Sequence, residues 1–348
     1  MNTKFLYAYK LTIGAVLNVK DLLGTGPDYE SRGIPFKKQI DLNTYAQREE
    51  TSSNKAFLFT DHQIQFSISK DDSSDPNDST ITLYNLSDNT VNYMEQNYEN
   101  HVVVKLEAGY VNDQIKLLFL GTLKRMEDNF EGETRKTTLY LTDGSSSTQE
   151  AYSSRSYPKG TSHNVIANDL IQDLGLPKGQ ISNFSAINKT TSSRAMSGNT
   201  HQLLKNLCSQ NNHDYHIQDG TVNIIPTDKR LKKQCAYLTP DTGLIGSPEP
   251  IADPKQKAIT KTKPTGTSTV DKNGNITWHK AGKPKTYNLG GVTFKCLLDG
   301  AISVGASVYI KSKNYDGAFK VTKVQHEGDY EGNNWTTTCD AYAVESEV

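Results

Sequence analysis

Apolar and polar residues alternate along the C-terminal stretch from Gly291 to Tyr342. The alternation is clearest at residues 292–296, 308–310, 319–321 and 335–341. A period of two indicates strands with one face on a core. The segments between them are rich in Gly, Asn and Asp, which adopt the positive φ angles of tight turns. The stretch therefore predicts short antiparallel strands in a small barrel or sandwich.

The N-terminal part of the chain shows the same period of two. Residues 63–69 read as a half-buried strand, and further strands are predicted at residues 80–86, 102–108, 117–125 and 137–142. Ser87 is a predicted N-cap, because its hydroxyl can accept from the free amides of a short helix. We expect residues 1–148 to form a first, tube-like β-barrel domain.

The periodicity changes after residue 148. Thr161 is a candidate N-cap for a helix that ends at Gly175, and Thr200 is a candidate N-cap for a second helix. Asp219 and Gly220 separate two alternating segments, which is a strong signal for a two-residue β-hairpin. Residues 149–232 are therefore predicted to form an α+β module with two helices and a hairpin.

Residues 233–348 are predicted to form a second tube-like β-barrel domain, interrupted at residues 253–290. That insertion contains eight lysines but only two acidic residues, Asp253 and Asp271. Asn273-Gly274 predicts one β-hairpin inside it. Its role stays open between a solvated surface excursion, a contact with an acidic partner protein and a contact with nucleic acid.

One internal similarity links the two predicted barrels. Residues 120–126, an acidic loop with Gly132, and the Thr-rich strand at 137–140 parallel residues 317–324, a loop with Gly332, and the Thr-rich strand at 336–339. Both segments have the order strand, acidic glycine-containing loop, Thr-rich strand. This similarity predicts two barrels of similar topology, unless it is coincidental.

Several short motifs follow one another along the chain: Asp75-Pro76-Asn77 with Ile81 to Ser87, Ala108-Gly109-Tyr110, Phe119-Leu120-Gly121, Gly243-Leu244-Ile245-Gly246-Ser247-Pro248-Glu249, Cys296-Leu297-Leu298 with Gly305-Ala306-Ser307-Val308, and the run from His326 to Thr337. In their order and spacing they resemble the baseplate hub proteins of contractile-tailed bacteriophages. The resemblance covers the chain from about Leu6 to about Tyr342. The insertion at 253–290 departs from the family pattern.

The resemblance implies a structural virion protein without cofactors. Such a hub is a homotrimer that adapts the sixfold tail tube to the threefold spike and forms part of the DNA channel. Its expected partners are further copies of itself, the tail tube protein, the spike protein and other baseplate proteins, with transient passage of DNA. Three copies of two similar barrels would form a pseudo-sixfold ring, with the α+β module off the ring. We expect the protein to fold in the bacterial host cytoplasm and to reside in the tail baseplate.

Composition adds few constraints to this picture. The 348 residues carry a formal net charge of -1, which provides no global attraction to nucleic acid or membranes. The mean hydropathy of -0.62 indicates a large polar surface, and no apolar run approaches the length of a membrane helix. We expect the four cysteines to be buried, reduced thiols. The 18 tyrosines suit subunit interfaces, although strands also favour tyrosine.

The strongest candidates for a metal site are His326, Glu327 and Asp329, which are close in sequence. Strand alternation sends Glu327 to the opposite face from His326, so a structural role in the turn is favoured over metal binding. The pair His213 and His216 is interpreted in the same way, as part of a hairpin. We predict no metal and no cofactor.

No sequence motif of a hydrolase, a nucleotide-binding loop or a metalloprotease occurs, and no catalytic residue is assigned. The residues predicted to have structural or interface roles are Tyr110, Trp335, Tyr330, Asp329 and His326. Two other classes stay open as alternatives to the hub: a tail-tip enzyme that degrades cell walls and a β-sandwich receptor-binding protein.

Overall fold

A computed structural model gives the fold. It describes residues 7–16, 56–97, 102–111, 115–143, 151–227, 229–230, 234–251, 259–263, 267–270, 276–279, 285–332, 334–343 and 346–347. The predicted domain boundaries after residues 148 and 232 lie outside the described residues and stay predictions.

The first part of the chain is mostly strand. Its elements are β1 (Tyr7–Val16), β2 (Ala56–Phe59), β3 (Ile64–Asp71), β4 (Asp78–Tyr84), α1 (Asp88–Asn97), β5 (Val102–Tyr110), β6 (Lys116–Glu131) and β7 (Thr134–Thr142). Burial alternates strictly along β3, as its sequence predicts. The Ser87 hydroxyl accepts from the amide of Thr90 at 3.4 Å at the start of α1.

The middle part contains two helices and two small sheets. Its elements are β8 (Tyr152–Tyr157), α2 (His163–Leu174), β9 (Lys178–Ile181), β10 (Arg194–Asn199), α3 (Thr200–Gln210), β11 (His213–Gln218) and β12 (Thr221–Pro226). The N-caps are Ser162 and Asn199, each one residue away from the predicted threonine. Gly175 ends α2 with a φ of 70°, as predicted.

The last part returns to strands. Its elements are β13 (Lys229–Arg230), β14 (Gln234–Leu238), a short 3-10 helix (Pro240–Thr242), β15 (Leu244–Ile251), β16 (Ile259–Lys263), β17 (Thr267–Val270), β18 (Ile276–His279), β19 (Lys285–Leu289), β20 (Gly291–Leu297), β21 (Ser307–Lys311), β22 (Asp316–Asp329), β23 (Trp335–Ala343) and β24 (Ser346–Glu347). Inside the insertion, Val270 pairs with Ile276, which is the predicted hairpin; its turn lies outside the described residues.

The two outer parts share a 13-stranded sheet. Its main path runs β15-β20-β23-β22-β3-β4-β7-β6-β5-β1-β2, and β21 joins β22 and β14 at its side. The predicted mainly β fold with α+β content is confirmed. The prediction of closed barrels needs correction, because the pairing among the described strands is open at β15 and β2 and continuous between the two halves. The physical reason is that β21 covers only the first part of β22, from Asp316 to Lys320, and β3 pairs with the second part. The two halves therefore join into one sheet instead of each closing on itself.

The buried apolar residues form three clusters. One fills the first part of the chain and includes Trp335 and Leu298 from the last part. A second fills the last part. The third fills the α+β module and includes Val103 and Leu120 of the sheet. The module is therefore held on β5 and β6 by apolar packing.

Candidate functional site: the junction of two sheet units and its polar face

The first and last parts of the chain contain strands in the same order. In the first sheet unit (β1 and β3–β7) the spatial order is β3-β4-β7-β6-β5-β1, and in the second (β14, β15 and β20–β23) it is β15-β20-β23-β22-β21-β14. Strands that correspond in space also correspond in chain order. The two units differ at their last pair, because β5 and β1 are antiparallel whereas β21 and β14 are parallel.

Two local details repeat between the units. The β6–β7 ladder has a bulge between Leu123 and Arg125, and the β22–β23 ladder has a bulge at the corresponding place, after Val321. Fully buried Thr137 and Thr337 occupy equivalent positions on β7 and β23. Each makes a side-chain hydrogen bond to its partner across the ladder, Asp128 at 2.7 Å and His326 at 2.9 Å. The internal similarity in the sequence thus corresponds to a repeated structure.

The two units meet where β3 pairs with the second half of β22. The register runs from Lys323 opposite Asp71 to Asp329 opposite Gln65. The five residues that the sequence singled out are found at or next to this junction. Their individual contacts show what each contributes.

Trp335 fills the space between the units. It is 1% exposed, and its indole N–H donates to the Gly109 carbonyl at 2.9 Å. Its ring stacks on Tyr7 with centroids 4.6 Å apart and meets Phe66 edge-on at 5.1 Å. A side chain from β23 is therefore part of the core of the first unit.

Tyr110 ties the same place together by hydrogen bonds. Its hydroxyl donates to the Trp335 carbonyl at 3.0 Å and accepts from the Leu298 amide at 3.1 Å. Burial raises the pKa of this phenol to about 12, so it stays protonated and able to donate. Both partners belong to the second unit, so Tyr110 joins the two units.

Asp329 and Tyr330 shape the turn after β22. Asp329 Oδ1 accepts from the amides of Glu331 and Gly332, at 3.2 Å and 3.0 Å, and Oδ2 accepts from the Gln65 side chain at 3.1 Å. The Tyr330 ring meets Tyr9 edge-on, with centroids 5.2 Å apart. Both carboxylate oxygens of Asp329 therefore accept hydrogen bonds, one from the turn amides and the other from the first unit.

His326 lies on the buried side of β22 and is 1% exposed. Burial, and secondarily the charge of Lys70, lowers its pKa to about 3, so the imidazole is neutral at neutral pH. Glu327 next to it faces the other side, as alternation predicts. Within the described part of the chain, no three His, Cys, Asp or Glu side chains are grouped to hold a metal ion.

The side of the sheet away from the apolar cores carries rows of polar side chains that cross both units. One row is Glu127, Thr138, Thr82, Gln65 and Asp329, and the next is Arg125, Tyr140, Thr80, Ser67 and Glu327. Two neighbouring pairs in the first row are hydrogen-bonded, Thr82 to Thr138 at 3.2 Å and Gln65 to Asp329 at 3.1 Å. The Arg125 guanidinium lies over the Tyr140 ring at 3.7 Å and pairs with Glu127. We call this surface the polar face.

The α+β module contacts the sheet through a second, ionic contact, which we call the module seam. Lys70 of β3 pairs with Asp219 at 2.6 Å, and Lys320 of β22 pairs with Asp214 at 3.1 Å. Both lysines are 5% exposed or less. His216 of β11 lies between Asp214 and Asp219 in the chain and is also buried, with no hydrogen-bond partner for its ring nitrogens among the described residues.

Sequence reasoning missed the module seam. One signal was present, because Lys70 continues the inward positions Ile64, Phe66 and Ile68 of an alternating strand. A lysine in that register needs a buried anionic partner. The identity of that partner, Asp219, depends on how a module 149 residues away packs, which no local pattern contains.

Comparison with known proteins gives the fold a context. No family model and no curated protein matches the chain. Several solved structures are similar in fold, including the following three. A tail protein from Neisseria meningitidis has a TM-score of 0.53 at 10% identity, with 97% of each chain covered. The 43 kDa tail protein of prophage MuSo2 from Shewanella oneidensis has a TM-score of 0.51 at 8% identity, with 82% of this chain and 94% of that chain covered.

The third structure is a Francisella PdpA-VgrG complex, with a TM-score of 0.50 at 9% identity. The alignment covers 98% of this chain and 59% of that chain. The chain therefore shares the fold of these structures, two of which are tail proteins, and the expectation of such a fold is confirmed. In the described part, no helix is both long and apolar enough to span a membrane.

Proposed function

We propose that this protein is a structural component of a contractile tail baseplate: a homotrimeric hub that joins the sixfold tail tube to the threefold spike. The observation that carries the proposal is the presence of two sheet units with the same strand order in one chain. Three copies supply six similar units for the tube and three α+β modules for the spike side. The similarity in fold to tail proteins over nearly the whole chain supports this assignment.

The polar face is the surface that lines the channel in this proposal. Its rows are dominated by hydroxyl and amide groups, and the cationic side chains of β6 and β7 have anionic neighbours. Arg125 pairs with Glu127, and Lys136 pairs with Glu131 at 2.9 Å. Phosphate groups are held mainly by unpaired cations, so DNA passes such a surface without being retained.

The proposed role is binding and geometry, without a catalytic residue. The partners are the tail tube protein, the spike protein, other baseplate proteins and further copies of the chain, in the virion baseplate. A zymogram on cell-wall substrate checks the absence of activity; a clear lysis band would favour a tail-tip enzyme instead.

The mass of the purified protein in solution is the direct test. We expect sedimentation and mass photometry to give the mass of a trimer of 38.6 kDa chains. We also expect each interface in the trimer to bury more than about 2,000 Å², as obligate assemblies do. A monomer at high concentration, both with and without the spike protein, would contradict the hub assignment.

A further inference from the structure

The second half of β6 has an open strand edge in the described part of the chain. β5 covers β6 only from Lys116 to Thr122. Beyond that point, residues 123–131 have β7 as their one described strand partner. An open edge presents unpaired backbone N–H and C=O groups and is able to bind another strand.

The equivalent edge in the second unit is occupied. There β21 covers β22 from Asp316 to Lys320, and β3 of the first unit covers it from Lys323 to Asp329. β6 corresponds to β22, and β15 corresponds to β3. The equivalent partner for the second half of β6 is therefore β15, whose outer edge is the end of the described sheet.

Within one chain these two strands are separated by the rest of the sheet, so the partner must be another copy. We propose that residues 127–131 of β6 bind residues 245–251 of β15 from a neighbouring copy of this chain. The contact repeats, between copies, the β22–β3 contact within each copy. The inference rests on the proposed function in taking the partner to be the same chain.

The internal junction also supplies a register for the contact between copies. Ile245 pairs with Lys295 of β20 as Gln65 pairs with Thr82 of β4. Because Gln65 lies opposite Asp329, Ile245 is placed opposite the equivalent residue of β6, which is Glu131. By the same correspondence, Glu249 faces Asn129, and Ile251 faces Glu127.

Exposed apolar side chains on both edges support this pairing. Phe130 is 66% exposed and Ile245 is 39% exposed. Phe130 corresponds to Gly328, which at the internal junction lies directly against the Phe66 ring of β3. Phe130 is thus located where the equivalent contact inside the chain is buried, and Ile245 takes the place of Gln65, which contacts Asp329 across the internal junction. Burial of both across copies would stabilise the contact.

Two prolines limit the backbone part of this contact. Pro248 and Pro250 lie on β15 and have no N–H to donate. Prolines on edge strands oppose uncontrolled strand pairing, so an isolated contact is expected to be weak. In a closed head-to-tail ring, each copy makes the contact on both of its sides, so several weak contacts together stabilise the assembly.

Cysteine cross-linking tests the register. In a Cys235→Ser background, we expect Glu131→Cys combined with Ile245→Cys to give disulfide-linked dimers and trimers under mild oxidation. Each single variant, and a matched double variant with Glu131→Cys and Tyr237→Cys, should not give this ladder. Tyr237 is a suitable control because it is 46% exposed and lies on the other edge strand, β14.

The outcomes separate this inference from the proposed function. A trimeric mass without the 131–245 cross-link would overturn the pairing and leave the trimeric hub standing. A monomeric mass for every variant would overturn both. Linked dimers that never close into trimers would support the strand contact but contradict the ring.

A second variant tests the same contact without cysteines. We expect Phe130→Glu to weaken self-association by at least about tenfold, as the loss of a central apolar anchor does. Ile187→Glu is the matched control, because Ile187 is 85% exposed on the α+β module, away from both edges. Equal association of the two variants and the wild type, with unchanged melting, would contradict the contact.

Discussion

At the residue scale, Trp335 combines three kinds of contact in one buried side chain. It removes a large apolar area from water, stacks on Tyr7 and satisfies the Gly109 carbonyl. All of these contacts are made with the first unit, although the residue belongs to the second. The loss of the side chain therefore leaves a cavity at the junction and removes the indole hydrogen bond to the Gly109 carbonyl.

We expect Trp335→Ala to lower the free energy of unfolding by about 3–5 kcal/mol, as truncations of large buried aromatic residues do. Tyr237→Ala on the surface should cost less than about 1 kcal/mol. Chemical denaturation with matched slopes measures both. His326→Ala, which empties a smaller buried site and removes one buried hydrogen bond, is expected to cost about 2 kcal/mol, less than the loss of the indole. Equal small effects from all three would place the indole outside the core.

A buried carboxyl beside the module seam predicts a pH dependence. Burial, and then the charge of Asp219, raises the pKa of Asp143 from 3.8 to about 7, against the opposing effect of Lys70. The folded state therefore binds a proton that the unfolded state releases between about pH 4 and pH 7. The contribution of this group to stability is largest at acid pH and is lost as pH rises through 7.

We expect Asp143→Asn to gain stability relative to the wild type as pH rises from 5 to 8. One pKa unit corresponds to about 1.4 kcal/mol, so the change should exceed about 1 kcal/mol. Asp78→Asn is the control, since its carboxylate pairs with Lys124 at an exposed site. Urea denaturation at both pH values measures the effect; parallel pH profiles for Asp143→Asn and the wild type would contradict it.

At the element scale, local patterns predicted most strands and hairpins but not their distant pairing. The alternation along β3 and the Asp219-Gly220 turn of the β11–β12 hairpin depend on neighbours in sequence, and the structure matches them. The pairing of Gln65 with Asp329 joins residues that are 264 positions apart. Their register depends on the packing of both units, which a single-strand pattern does not contain.

The helices show the same limit on a smaller scale. Among the apolar residues of α2, Val165 is 50% exposed, whereas Ile166, Leu170 and Leu174 are buried. Period and length therefore identified the helix correctly. The width of its buried face depended on how α3 and the module strands surround it.

The insertion is the element whose removal the fold should tolerate. Ile251 at the end of β15 pairs directly with Gly291 at the start of β20. The two ends of the insertion are therefore adjacent, and a two-residue Asn-Gly turn fits between antiparallel neighbours. We expect replacement of residues 253–289 by Asn-Gly to leave a soluble protein with one cooperative melting transition. Loss of solubility or of cooperative melting would mean that the insertion is packed structure.

At the scale of the whole molecule, the chain contains two similar sheet units and one α+β module that has no second copy. The two units repeat strand order, a bulge and a buried threonine, so each can present a similar surface. The α+β module occurs once and is held by both apolar packing and the buried ion pairs of the module seam. Buried ion pairs add little net stability, and we infer that here they favour one arrangement of the module on the sheet, as the proposed hub function requires.

This combination predicts the appearance of the assembled protein. Three copies should form a ring of six similar lobes, because each chain contributes two units of the same topology. The three modules should project from the ring at every second lobe, which reduces the symmetry from six to three. Averaged electron-microscopy images of the purified trimer, viewed along its axis, provide the measurement. The control is a trimer in which the insertion is replaced by Asn-Gly, which should keep six lobes and lose only density next to one lobe of each chain. A ring of three lobes, or six lobes without alternating projections, would show that only one of the two units takes part.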